Sequence, residues 1–340
     1  MRTTKFLILI LSVLLAGYSC QGPVVEPLDG NITMTTRKSE MAIAIAGSGS
    51  ITIDWGDGTS YENHILSSGY NMYSHTYSIT SAHTITIKGE NITDLDCSLN
   101  QLTSLDVSKA FALIHLECLS NQLVSLDVTK NSKLIHLNCY NNQLTSLDVS
   151  KNTMLTKLSC VANQLTGLVL NTALKELSCA SNQLTSLDVS KSIALTDLFC
   201  ADNRLIDLDV SNNLLLKSLA CSHNGLKDLD VSKNTGLTEL SCGSNWLTNL
   251  DVSKNIRLAG LYCGPNQLKS LDLSKNTALT YLYCPGNDLS ITALNNLFET
   301  LHDRYIERKT INIVYNPGEE SCDKSIATNK GWIFDYWVPY

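Results

Sequence analysis

Leu134-Ile-His-Leu137-Asn-Cys139-Tyr-Asn-Asn142-Gln-Leu144-Thr-Ser-Leu147-Asp148-Val149 is one unit of a pattern that returns along most of the chain. Leu137 and Cys139 alternate with period two, which puts both on one face of a short strand and turns the residues beside them to solvent. Asn142 follows where the chain must turn, and its amide can satisfy backbone groups that a buried turn would leave unpaired. Leu144 and Leu147 fill the interior, and Leu147-Asp148-Val149 supplies a second alternating segment on the opposite side.

The period is marked by Cys97, Cys118, Cys139, Cys160, Cys179, Cys200, Cys221, Cys242, Cys263 and Cys284, spaced by 21 residues except for one interval of 19. A single unit cannot bury its own apolar face, so stability must come from turns stacked about 4.8 Å apart, and ten of them make a strand ladder about 50 Å long. The form L-x-x-L-x-C-x-x-N-x-L-x-x-L-D-V resembles a bacterial leucine-rich repeat of the 21-residue class with Cys in the strand. That resemblance covers ten units, about 60% of the chain, and implies a solenoid with one concave, strand-lined surface and short extended structure opposite. The fourth unit, Leu155 to Ala173, lacks two residues together with the usual Asp and Lys, which predicts a tighter loop and a local change in curvature.

The flanks break the period. Residues 29–90 alternate at Asn31 to Thr35, Met41 to Ala46, Ile51 to Trp55 and Thr84 to Lys88, with Gly-rich and Ser-rich turns between. Ile53-Asp54-Trp55-Gly56-Asp57-Gly58-Thr59 and His75-Thr76-Tyr77 resemble the polycystic-kidney-disease type of β-sandwich, here expected as a spacer. After the array, Ser290 to Tyr305 has helical spacing and Lys309 to Val314 alternates as a strand, as expected of a cap that keeps the last Leu face out of water.

The fold class is thus a β-rich α/β solenoid: an N-terminal all-β sandwich (29–90), a leucine-rich-repeat array of ten units (91–291) and a small α+β C-terminal cap (292–340).

Ahead of these, Arg2 and Lys5 precede the apolar run Phe6 to Ala16, which reads as an export signal over residues 1–19. Its eleven residues are too short to cross a hydrocarbon core of roughly 30 Å. Leu14 to Cys20 resembles a bacterial lipoprotein signal, which implies lipid attachment at Cys20, a linker over 20–28 and, with Gln21 next, an outer-membrane destination. Gly17 stands where that signal has an aliphatic residue, so cleavage to a soluble secreted product is the alternative.

The 32 acidic and 25 basic residues leave a net charge of −7, which disfavours nucleic acid as a partner. The repeat cysteines read as small apolar fillers whose strand spacing is too wide for disulfides, so free thiols are expected. The recurring aspartates, from Asp106 to Asp272, read as a solvated charge ladder, with calcium as the rival reading. His115 and His136, with Glu117 nearby, have too few companions for zinc. Asp54 and Asp57 suit a turn. No nucleophile, acid–base or phosphate-loop constellation emerges, so neither catalysis nor a cofactor is expected.

The outward strand positions turn aromatic late in the array, at Phe199, Tyr262, Tyr281 and Tyr283, and Trp246 replaces the Gln that usually follows Asn. Exposed aromatics on a rigid concave face suit a ligand site. Packing against the cap is the competing account of Tyr281 and Tyr283. The expected function is non-enzymatic recognition or adhesion at the cell surface, through a protein partner. The alternatives are glycan capture for nutrition or a structural role as an envelope spacer.

Overall fold

The computed structural model describes residues 31–79 and 81–336; the export signal and Cys20 lie outside the described residues. The described residues open with seven strands: β1 (Ile32–Thr36), β2 (Glu40–Ser48), β3 (Ser50–Asp54), β4 (Glu62–Ile65), β5 (Asn71–Thr76), β6 (His83–Lys88) and β7 (Asn91–Asp96). Inward positions of β1 and β3 are buried in alternation, as period-two patterning requires. Ile32, Met34, Ile51, Ile53, Ile85 and Ile87 close around the buried Trp55.

These strands do not form a detached spacer. One sheet has the order β4-β3-β6-β1, and its β1 edge pairs antiparallel with Ser104–Asp106 of the first repeat. The other has the order β5-β2-β7, and β7 pairs in parallel with His115–Glu117, where the repeat ladder begins. Both sheets therefore run into the solenoid and cover the apolar face of its first turn.

From β7 onward, short strands stack in parallel with Leu95, Leu116, Leu137, Leu158, Leu177, Leu198, Leu219, Leu240, Leu261, Leu282 and Ile311 in register. Each of these side chains is buried, and each such burial contributes roughly 1.5–3 kcal/mol. The register passes through the short unit without a slip, because Leu158 pairs with Leu177 despite the 19-residue interval. The two missing residues fall on the far side of the turn, where Asn171 follows Leu170 directly and Gly167–Val169 pairs with Ser146–Asp148.

Two ladders of asparagine hold the turns together. From Asn121 on, each Asn after a Cys donates through Nδ2 to the Cys carbonyl of its own turn and of the preceding one, as Asn245 does to Cys242 at 3.1 Å and Cys221 at 3.0 Å. The second ladder, at Asn131, Asn152, Asn213, Asn234, Asn255 and Asn276, does the same for the far side of the turn. Sequence reasoning singled out only the first. The ten ladder thiols are buried and free, and Sγ of Cys97, Cys118 and Cys139 lies 3.5 Å from the carbonyl one turn ahead.

The cap continues the array rather than ending it. After helix α1 (Ile291–Thr300), which starts on the Ser290 N-cap and buries Leu294, Leu297 and Phe298, the strand Lys309–Asn312 adds an eleventh turn. Ile313 takes the Cys place there, and Asn316 donates to Cys284 O at 3.0 Å as the other ladder asparagines do. A short helix α2 (Ser325–Thr328) leads to Trp332–Phe334, which closes the sheet in parallel.

Candidate functional site on the strand face

Each ladder strand shows two side chains on its outward face, one before and one after the buried Leu, so the face carries two columns. Between β7 and Tyr281–Tyr283 these hold six carboxylates, Asp94, Asp96, Glu117, Glu176, Asp197 and Glu239, against one lysine, Lys157. The face is acidic along most of its length and aromatic at its end.

At the N-terminal end, His115 Nδ1 lies 2.5 Å from Asp94 Oδ1, and His136 Nε2 lies 3.0 Å from Glu117 Oε1. His115 is thus hydrogen-bonded to a carboxylate one turn back, His136 lies within ion-pair distance of one, and the two ring centroids stand 6.4 Å apart. No group of three or more His, Cys, Asp or Glu among the described residues is arranged to hold a metal ion. Midway, Lys157 Nζ pairs with Glu176 Oε2 at 2.8 Å, a surface pair that contributes about 1 kcal/mol or less.

Of the aromatics singled out above, Tyr262 and Tyr281 come together: their rings stack at 4.9 Å and 29°. Tyr262 is exposed and Tyr281 half-buried. Tyr283 adjoins them, 6.4 Å from Tyr262, but only 8% of it is exposed, so it packs as a support rather than facing solvent. Phe199 shares the Tyr262 column but stands three strands away, about 14 Å at normal strand spacing. Trp246 is not on this face. It follows the Asn turn and lines a shallow depression with Lys227, Thr248 and Gln267.

Glu239 and Gly260, which sequence reasoning passed over, complete the aromatic end. A Cβ built on Gly260 would lie 2.0 Å from Glu239 Oε2, so the carboxylate occupies the space a side chain would take. Desolvation raises the Glu239 carboxyl above its usual range. Desolvation likewise raises the Tyr262 hydroxyl, helped by the charges of Glu239 and Tyr281. The available signal was a Gly at an outward strand position, which marks close approach of another group.

The remaining candidates have structural roles. Each recurring Asp accepts from the backbone N–H two residues on, as Asp230 does from Ser232 at 2.8 Å and Asp251 from Ser253 at 2.8 Å. That explains the column without a cation, and why the short unit loses the Asp along with its turn. Asp54 accepts from Gly56 N at 2.9 Å and Asp57 from Thr59 N at 3.0 Å, and His75 bridges Asp57 to the Trp55 ring, on which it stacks at 5.1 Å. Burial pushes every ladder thiol up, to about 12 at Cys139, Cys200 and Cys284, so these sulfurs stay protonated and inert at neutral pH.

Among solved structures, the chain is similar to the functional domain of InlJ from Listeria monocytogenes, which includes a cysteine ladder: 34% identity over 76% of this chain, TM-score 0.63. The fold is an internalin-like leucine-rich-repeat solenoid. This chain spans 56% of that one. An internalin, InlF, from the same organism matches in fold at 21% identity over 65% of this chain and 75% of its own, with a TM-score of 0.51. No family model and no curated protein matches the chain. Among the described residues, no helix is long and apolar enough to cross a membrane.

Proposed function

We propose that this internalin-like solenoid is a non-catalytic recognition protein that takes a protein partner on the strand face, at the end where Tyr262 and Tyr281 stack. The observation that carries this reading is the contrast within each strand. Leu, Cys and Asn are held to one identity by packing, while the outward positions vary freely and become large, apolar and partly exposed at Phe199 and again, as a stacked pair, at Tyr262 and Tyr281. Aromatic side chains on a rigid surface lose little entropy on binding and are the commonest anchors of protein interfaces. The similarity to InlJ supports a leucine-rich-repeat module of this kind.

The N-terminal strands, read as a unit of the polycystic-kidney-disease type, would seal the first turn and set the array off from the cell. Cys20 would carry a lipid that holds the protein at the outer membrane. Loss of fatty-acid labelling in Cys20→Ala is the expected result; equal labelling of the variant would remove the anchor from this reading.

The function itself is tested by presenting the purified chain to a panel of surface proteins and, in parallel, to a glycan array. Binding to a protein that falls at least tenfold in Tyr262→Ala is expected. Glycan binding lost in the same variant would replace the protein partner with a sugar, and a protein bound equally well by Tyr262→Ala and Tyr281→Ala would move the site elsewhere.

A further inference from the structure

The Glu239 carboxylate makes no ion pair or hydrogen bond among the described residues, although it lies over Gly260 beside the stacked tyrosines. The only lysine of the two outward columns, Lys157, is already engaged by Glu176. From the cap side, Arg308 and Asp335 act on Tyr281 with opposite signs, so the cap supplies no clear excess of positive charge there. An unneutralised carboxylate thus sits next to two electron-rich rings.

We propose that Glu239, Tyr262 and Tyr281, with Gly260 as the floor, form a subsite for a basic side chain, an arginine or a lysine, of the protein partner. This rests on the reading of the strand face as protein-binding. The cation would be held by the carboxylate and by the faces of the rings, since a ring quadrupole attracts a cation within about 6 Å of its centroid. The Tyr262–Tyr281 stack also offers an arginine plane a surface to lie against. Charge complementarity extends the same preference along the face, where six carboxylates oppose one lysine. A basic partner would be steered along that stripe to the aromatic end. The neighbouring outward residues Ser218, Ala220 and Ser241 are small, which leaves room for a long side chain to approach across them. The raised Glu239 carboxyl accords with a charge that lacks a counterion.

The test titrates the full chain with a fluorescent tetra-arginine peptide and, separately, with cellotetraose, at physiological ionic strength. Binding of tetra-arginine that weakens at least tenfold in Glu239→Gln, in Gly260→Ala and in Tyr262→Ala is expected. Gly260→Ala keeps every charge and only displaces the carboxylate, while Glu90→Gln, in the turn before β7, removes one charge far from the site and should change affinity less than twofold. An equal loss in Glu90→Gln would reduce the effect to bulk attraction and overturn the subsite. Cellotetraose bound through Tyr262 but indifferent to Glu239→Gln would overturn both the subsite and the protein-binding reading. A surface protein lost on Tyr262→Ala yet indifferent to Glu239→Gln would overturn the subsite alone.

Discussion

Asn142 donates to the carbonyl of Cys118, 24 residues earlier in the chain, at 3.0 Å. The same Nδ2 reaches Cys139 O at 3.1 Å, and Oδ1 accepts from Leu123 N at 3.0 Å, so one side chain satisfies three buried backbone groups in two successive turns. Asn142→Leu should therefore destabilise by about 3–5 kcal/mol, since each group left unpaired costs roughly 1–3 kcal/mol. Urea unfolding measures it, with the exposed neighbour Gln143→Ala expected within about 0.5 kcal/mol of the parent.

The buried thiols make stability sensitive to alkali. Their pKa lies near 9 when unfolded and is raised by burial when folded, to about 12 at Cys139, Cys200 and Cys284. The folded chain therefore keeps protons that the unfolded chain gives up, so stability is intact below pH 9 and lost as pH rises toward 12. Ten such groups at roughly 1.4 kcal/mol each amount to on the order of 10 kcal/mol by pH 10. The melting temperature should be nearly flat to pH 8.5 and fall steeply above pH 9. A flat profile to pH 10.5 would contradict the burial of the ladder.

Ala162 holds a left-handed backbone, φ 55°, in a turn where Gly286 supplies φ 57° one place before its own ladder asparagine. A side chain there costs about 1–2 kcal/mol, against which glycine loses about 0.4–1 kcal/mol through the unfolded chain. Ala162→Gly should stabilise by about 0.5–1 kcal/mol and Gly286→Ala should do the reverse, both read from denaturant midpoints.

Acid should act on the N-terminal strands through Asp57. Burial alone would raise its carboxyl, but hydrogen bonds from Thr59 and His75 bring it down from 3.8 to about 2. A lowered carboxyl contributes stability above its unfolded pKa and loses it as pH falls through the folded one. The melting-temperature difference between the parent and Asp57→Asn should shrink as pH drops from 4 to 2. A difference that stays constant over that range would remove Asp57 from the account.

The ladder could be read from sequence because its constraints are local and repeated: Leu198 and Cys200 alternate on three residues, and a 21-residue period needs only stacking. The eleventh turn escaped notice because Ile313 stands for Cys and helix α1 stretches the interval from Cys284 to 29 residues. The merging of β2 and β7 into the ladder sheet escaped for a different reason: it joins segments some fifty residues apart by pairing that leaves no periodic trace. At the site, alternation told which way Tyr262 and Tyr283 point but not what covers them, so the burial of Tyr283 needed the cap in place. The Glu239–Gly260 contact joins neighbouring turns across an outward position, where no packing rule dictates identity.

The second asparagine ladder also bears on how the molecule answers to force. Where Asn213 spans two turns with bonds of 3.0 and 2.9 Å, Ser192 offers a single bond of 2.7 Å to Asn171 O. Tension applied between the two ends runs along the stacking axis and loads the turn-to-turn bonds in series, so extension begins at the weakest junction. Within the second ladder the thinnest link lies between residues 171 and 192, beside the shortened unit, and the chain would part there into two stretches of intact coil.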